Sequence, residues 1–236
     1  MVRKKSSRNL PEIVYQDQYL LALNKPSGWV TLCGSGRKTP LQIWLEEEVV
    51  FGRKIPFFQK RSGIVHRLDK DTSGLLLVAK DKQVFVNLQK AFADRLIKKE
   101  YLALVTGKIP GAGTIKAPIK RARRERNKWK VFPQGRDSTT DYWRKKVYFY
   151  QGQEYSLIKV RPLTGRTHQI RVHFKYLGYP LVADPIYSSV KKSKIFDRLF
   201  LHASGLEFFH PVSKKKMLLE SPLPFRLKEQ LKKLES

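Results

Sequence analysis

Apolar and polar positions along the chain change period often, and each change marks an element. Glu12 to Tyr15 and Tyr19 to Asn24 read as two short strands around Gln16-Asp17-Gln18, followed by a turn at Lys25-Pro26-Ser27-Gly28. Thr39 before Pro40 opens a helix that turns Ile43, Trp44 and Val50 inward. Gly74 to Lys80 is a continuous apolar run, the mark of a buried strand. Asp81 then caps a helix to about Arg95, with Val84, Leu88 and Phe92 at helical spacing. Tyr101 to Thr106 is a strand ended by Gly107. Thr140 to Tyr150 and Tyr155 to Val160 form a hairpin around Gln151-Gly152-Gln153. Thr167 to Tyr176 reads as a helix stopped by Gly178 and Pro180, and Leu206 to Phe209 with Lys216 to Glu220 as a last hairpin. Neither a repeat nor a βαβ rhythm emerges. The expected class is α+β with a mixed, mostly antiparallel sheet.

Composition agrees with a packed domain: 236 residues, 41% hydrophobic and 29% charged, are enough for a sizeable core. Charge adds a partner. Lys and Arg number 48 against 20 Asp and Glu, a formal excess of +28 that repels itself and calls for a polyanion. A membrane-surface role needs an amphipathic basic helix, and only Pro224 to Glu235 offers one, with Leu227, Leu231 and Leu234 on one face. A terminal helix docked on the core is the expected reading of that pattern, and no membrane partner is expected. The densest cationic stretch holds Lys116, Lys120, Arg121, Arg123, Arg124, Arg126, Lys128 and Lys130 against Glu125, with Trp129 and Phe132 nearby. Cations beside aromatic rings suit phosphate contact and base stacking, although a solvated loop would look similar. The single cysteine, Cys33, fits a reducing compartment, and no apolar run is long enough to span a bilayer. The expected setting is the cytoplasm.

Several chemistries lack their motifs. There is no dinucleotide fingerprint after a strand, no phosphate loop and no nucleophile elbow. The five histidines are not spaced as a metal set, and one cysteine cannot build a zinc knot. No cofactor and no metal are expected. Polar groups instead crowd Ser62 to Gly74, a loop leading into the buried strand, where functional groups commonly sit. Asp69 there is either a surface carboxylate paired with a lysine or a working group; no spacing argument joins it to Asp71, two positions on, as an acid–base pair. In Thr164 to Phe174, helical spacing puts Arg171 on one face with Thr167, Ile170 and Phe174, so it is either a surface cation or a buried charge in need of a carboxylate.

The run His66-Arg67-Leu68-Asp69-Lys70-Asp71-Thr72-Ser73-Gly74-Leu75-Leu76-Leu77-Val78-Ala79-Lys80 resembles the signature of the RluA-type pseudouridine synthases. Further clusters follow in that family's order: Lys99-Glu100-Tyr101, Gly165 to His173, Leu177 to Val182, and Leu201-His202-Ala203, with Asn24-Lys25-Pro26-Ser27-Gly28 ahead of them. The resemblance covers about residues 12 to 222. It implies the pseudouridine synthase fold, with a cleft across the sheet, and the isomerisation of uridine to pseudouridine in ribosomal or transfer RNA. By the same resemblance Asp69 is the essential carboxylate, either nucleophile at C1′ or base at C2′. Arg171 pairs with it, Tyr101 stacks on the flipped base, and Arg67 enters the space the base leaves. The stretch from Lys116 to Lys130 falls where the family carries a loop that grips an RNA stem. A catalytically silent RNA-binding or ribosome-assembly protein would share the charge.

The resemblance has its departures. Residues 1–11 read as a basic tail and 12–236 as the catalytic domain, without the additional S4-type RNA-binding domain of many relatives. Ala183 stands where the family usually has glycine. A monomer is expected.

Overall fold

The computed structural model describes residues 10–33, 37–47, 61–125, 127–188 and 195–235. The predicted Val50 and Arg126, and residues 1–9 of the predicted tail, lie outside them. The strands are β1 (Glu12–Gln16), β2 (Leu20–Lys25), β3 (Ser73–Ala79), β4 (Lys98–Thr106), β5 (Ala112–Lys116), β6 (Ile119–Arg121), β7 (Trp129–Val131), β8 (Thr139–Tyr150), β9 (Gln153–Pro162), β10 (Leu201–Phe209) and β11 (Lys216–Glu220). The helices are α1 (Pro40–Glu47), α2 (Lys82–Ala93), α3 (Gln169–Tyr176) and α4 (Phe225–Lys233). Nine strands make one sheet in the order β1-β2-β3-β10-β4-β9-β8-β5, with β11 pairing the later part of β10 beyond its short contact with β3, while β6 and β7 form a separate two-stranded sheet. The pairing is antiparallel except between β3 and β10, so the α+β class with a mixed, mostly antiparallel sheet is what forms.

The continuous apolar runs of β2 and β3 follow from burial on both faces. One alternate set, Leu20, Ala22, Leu75 and Leu77, packs on Val84, Phe85 and Leu88 of α2; the other, Leu21, Leu23, Leu76 and Val78, packs on Leu41 and Leu45 of α1. Farther along the sheet Ala103, Ile158 and Val160 meet Ile170 and Phe174 of α3, and Leu104 and Tyr155 meet Leu227 of α4 and Leu234 just after it. The last helix is therefore docked on the core. Among the described residues no helix is long and apolar enough to cross a membrane.

Three expectations need correction. Helix α1 buries Leu41, Gln42 and Leu45 and leaves Ile43 exposed, because Thr39 and Gln42 cap each other and fix the helix rotation. Helix α3 starts at Gln169 rather than Thr167, because His168 adopts a left-handed backbone at φ 55°. The cationic stretch is in part strand: Lys116 ends β5, Lys120 opposes Lys130 and Arg121 opposes Trp129 across β6 and β7, and Arg123, Arg124 and Lys128 lie in the connection between those two strands. Like charges opposite each other disfavour such pairing, and here both lysine ammoniums also lie over the Phe132 ring, at 5.6 and 5.2 Å.

Candidate active site

The loop between Leu68 and Thr72 leads into β3 and is held by its backbone. Thr31 Oγ1 donates to the Leu68 carbonyl at 2.8 Å, and the Thr72 N–H to that of Asp69 at 3.2 Å. The Lys70 carbonyl accepts from the Gly28 N–H at 2.8 Å and from Lys25 Nζ at 3.2 Å. Ser27 Oγ donates to the Asp71 carbonyl at 2.8 Å, and Arg198 Nη2 approaches the same oxygen at 3.5 Å. Every carbonyl from 68 to 71 thus has a partner, most of them supplied by residues 25–31. Lys25 is wholly buried and also donates to the Pro26 and Trp29 carbonyls, both at 2.9 Å. Burial, helped by the nearby Arg198, lowers its pKa to about 7 against the opposing pull of Asp69 and Asp71.

The backbone so fixed points Asp69 into a cleft of about 480 Å³, which it lines together with Arg67, Lys99, Tyr101, His168 and Arg171. That volume falls in the range of small-ligand sites. Asp69 is not paired with a lysine. Arg171 Nη1 donates to its Oδ2 at 3.3 Å, while Arg171 Nε and Nη2 both bind Asp184, each at 2.7 Å. The bidentate pair with buried Asp184 fixes the guanidinium plane, and the third nitrogen is left for Asp69. Burial opposes the charge on Arg171, but the two carboxylates outweigh it and raise its pKa.

Around this centre, Tyr101 projects from β4, and burial together with Asp69 raises its hydroxyl pKa above the usual phenol range. Lys99, on the same strand face, donates to the Thr164 carbonyl at 3.1 Å, and burial lowers its pKa to about 8. Arg67 is exposed beside Asp69 on the cleft wall. His66 accepts the Leu77 N–H at 2.9 Å, with burial and Lys99 keeping its pKa at about 3.

The structure brings Asp69, Tyr101, Arg171 and Arg67 to one cleft. Among the described residues of the cationic stretch none lines it; Lys116 ends β5, and the others lie on the hairpin whose Trp129 reaches Tyr187 beside His168. Sequence reasoning missed Lys25, Asp184, His168 and Tyr187 as parts of this assembly. The positive φ of Ala183 (53°), directly before Asp184, is the one local signal: it is a backbone state that glycine would adopt more easily.

The site described so far matches a known group. The sequence model of the RNA pseudouridylate synthase family matches residues 19–176. The chain belongs to that family. It is 39% identical to the ribosomal large subunit pseudouridine synthase C of Buchnera aphidicola subsp. Baizongia pistaciae over 94% of this chain and 70% of that protein. With the ribosomal large subunit pseudouridine synthase D of Pseudomonas aeruginosa the identity is 38%, over 90% of this chain and 68% of that one. Among solved structures, human RNA pseudouridylate synthase domain containing 1 superposes with a TM-score of 0.72 at 30% identity, covering 93% of this chain and 86% of that one. The chain is an RNA pseudouridine synthase, an isomerase: the uracil leaves C1′, turns over and rejoins through C5, with no net oxidation.

Proposed function

We propose that this enzyme converts uridines of large-subunit ribosomal RNA to pseudouridine, with Asp69 as the carboxylate at the reacting sugar. The relatives' names supply the RNA target. The carrying observation for the residue is the contact between Asp69 Oδ2 and Arg171 Nη1 at 3.3 Å inside a cleft open to a nucleoside. Both possible roles, attack at C1′ or removal of the C2′ proton, need an oriented carboxylate at the sugar, and Arg171 locked by Asp184 supplies the orientation. Tyr101 offers its ring face to the extruded base, and Arg67 fills the stack that the base leaves. Unstacking costs a few kcal/mol, roughly, which the inserted guanidinium offsets in part. The cationic hairpin grips the adjoining stem through phosphates. The enzyme works as a cytoplasmic monomer.

The test is site-by-site pseudouridine mapping of large-subunit and transfer RNA incubated with wild type and with Asp69→Asn. The variant is expected to leave uridine unchanged while keeping its fold and its RNA affinity. Equal modification by both proteins removes Asp69 from the chemistry. Modification confined to transfer RNA replaces the target and keeps the residue.

A further inference from the structure

A chain of polar contacts runs from the cationic hairpin to the carboxylate. The backbone N–H of Trp129, the first residue of β7, donates to Tyr187 Oη at 2.9 Å. Tyr187 Oη lies 2.8 Å from His168 Nδ1, and His168 Nε2 lies 3.9 Å from Asp69 Oδ2. Asp184 sets the tyrosine in place, accepting the Ile186 and Tyr187 N–H groups at 2.9 and 3.1 Å on the oxygen that also binds Arg171. The guanidinium of Arg171 in turn sits 5.1 Å from the Tyr187 ring.

Proton counting gives this chain a direction. A bare Nε2 lone pair facing a carboxylate is repulsive, so Nε2 carries the proton. Nδ1 of the neutral ring is then an acceptor, and the only hydrogen available to it there is the Tyr187 hydroxyl proton. Trp129 occupies a lone pair of the same oxygen. Donors therefore point from hairpin to tyrosine, from tyrosine to histidine, and from histidine to Asp69. The last gap, at 3.9 Å, is longer than a hydrogen bond, so it is the link of the chain left unclosed without RNA. His168 is held at φ 55°, a backbone state uncommon outside glycine, and its side chain caps no helix N–H.

We propose that His168 and Tyr187 are positioning residues that couple the seating of the β6–β7 hairpin on RNA to the orientation of Asp69. This rests on the reading of the hairpin as an RNA grip and of Asp69 as the working carboxylate. The hairpin pairs with none of the nine sheet strands, and this hydrogen bond, with the apolar contact of Trp129 and Val131 with Tyr187 and Val172, ties it directly to the residues beside Asp69. The charged groups facing His168 are Asp69 and Asp184, which favour its protonation, and Arg171 and Arg67, which oppose it; with burial as the largest influence, its pKa lies below the usual histidine value. The tyrosine proton on Nδ1 favours the same neutral state.

The test uses Tyr187→Phe, which keeps the ring and removes only the hydroxyl, together with His168→Gln. Histidine ¹⁵N NMR of the RNA-free wild type is expected to show His168 in the Nε2–H form; the Nδ1–H form overturns the proposal. In Tyr187→Phe the His168 titration midpoint is expected to rise, because the donor that favoured the neutral ring is gone; an unchanged midpoint overturns it. Adding a short uridine-loop RNA hairpin is expected to shift the His168 signals in wild type and not in Tyr187→Phe; equal shifts in both overturn the coupling. Single-turnover rates are expected to fall roughly ten- to hundredfold in either variant with RNA affinity nearly unchanged, and no further in the double variant. A parallel loss of affinity and rate assigns the pair to hairpin folding alone and overturns the proposal. Should wild type form no pseudouridine, the catalytic reading fails by itself, and the NMR measurements still judge the relay.

Discussion

At the scale of single residues, the site depends on side chains that touch no substrate. Lys25 is the clearest case: one ammonium with three N–H groups meets three carbonyls, one of them from the loop that carries Asp69. Its folded pKa of about 7 lies well below the ordinary lysine value of 10.5. Between those two pH values the unfolded chain binds a proton that the folded chain lacks, so this group makes stability rise with pH across the window. Below about 7 the penalty is complete, and above 10.5 it is gone. Urea denaturation at several pH values is expected to show that upward slope in wild type and a flatter one in Lys25→Met; identical slopes would refute the assignment. The same variant is expected to lose activity, because the loop carbonyls lose a donor. Asp69 and Arg171 were legible in the sequence through their motifs. Asp184 was not, since an aspartate 13 residues beyond Arg171 has no periodic relation to it and meets it only through the left-handed turn at Ala183. Nor was Lys25, whose partners at residue 70 come from a strand pairing that no local pattern announces.

Among elements, strong periodicity made the helices and long hairpins readable. Asp81 caps α2 by accepting the Val84 N–H at 2.9 Å, and Val84 and Leu88 are buried as their spacing predicted. Elements of three residues were unreadable: β6 and β7 are too short to show alternation, and their lysines and arginines mask the pairing. The element most sensitive to change is β3, at the point where it meets β10 in parallel. Gly74 opposes Ala203 there, and a Cβ on Gly74 would stand 2.2 Å from the Ala203 carbonyl oxygen, with φ at +116°. Both the clash and the backbone state oppose any larger residue. Gly74→Ala is expected to cost about 3 kcal/mol or more, read as a lower denaturant midpoint, with Asp69 displaced because it lies one turn upstream. A midpoint equal to wild type would show that the two strands separate without penalty.

For the whole molecule, the +28 charge acts as a field rather than as a set of contacts. RNA binding is expected to weaken linearly in log–log form with salt. Replacing Lys120 and Lys130 by alanine should lower that slope by roughly 1.8, at about 0.9 per duplex phosphate contact. Filter binding across a salt series measures it, and an unchanged slope would place the hairpin lysines away from phosphate. The overall class and the run of motifs along the chain were readable because both follow local order. The joining of distant segments into one cleft was not, because the sheet order β3-β10-β4 is set by crossovers that leave no local trace.

That joining also sets a schedule. Asp69 leaves the ribosome long before Arg171, 102 residues later, and Arg198 reaches the Asp71 carbonyl from 127 residues downstream. A nascent polypeptide translated only through β9 displays the carboxylate with neither its guanidinium nor that brace. On the proposed role of Asp69, such a chain is inert beside the RNA surrounding its birthplace, and competence arrives with the final third of the chain.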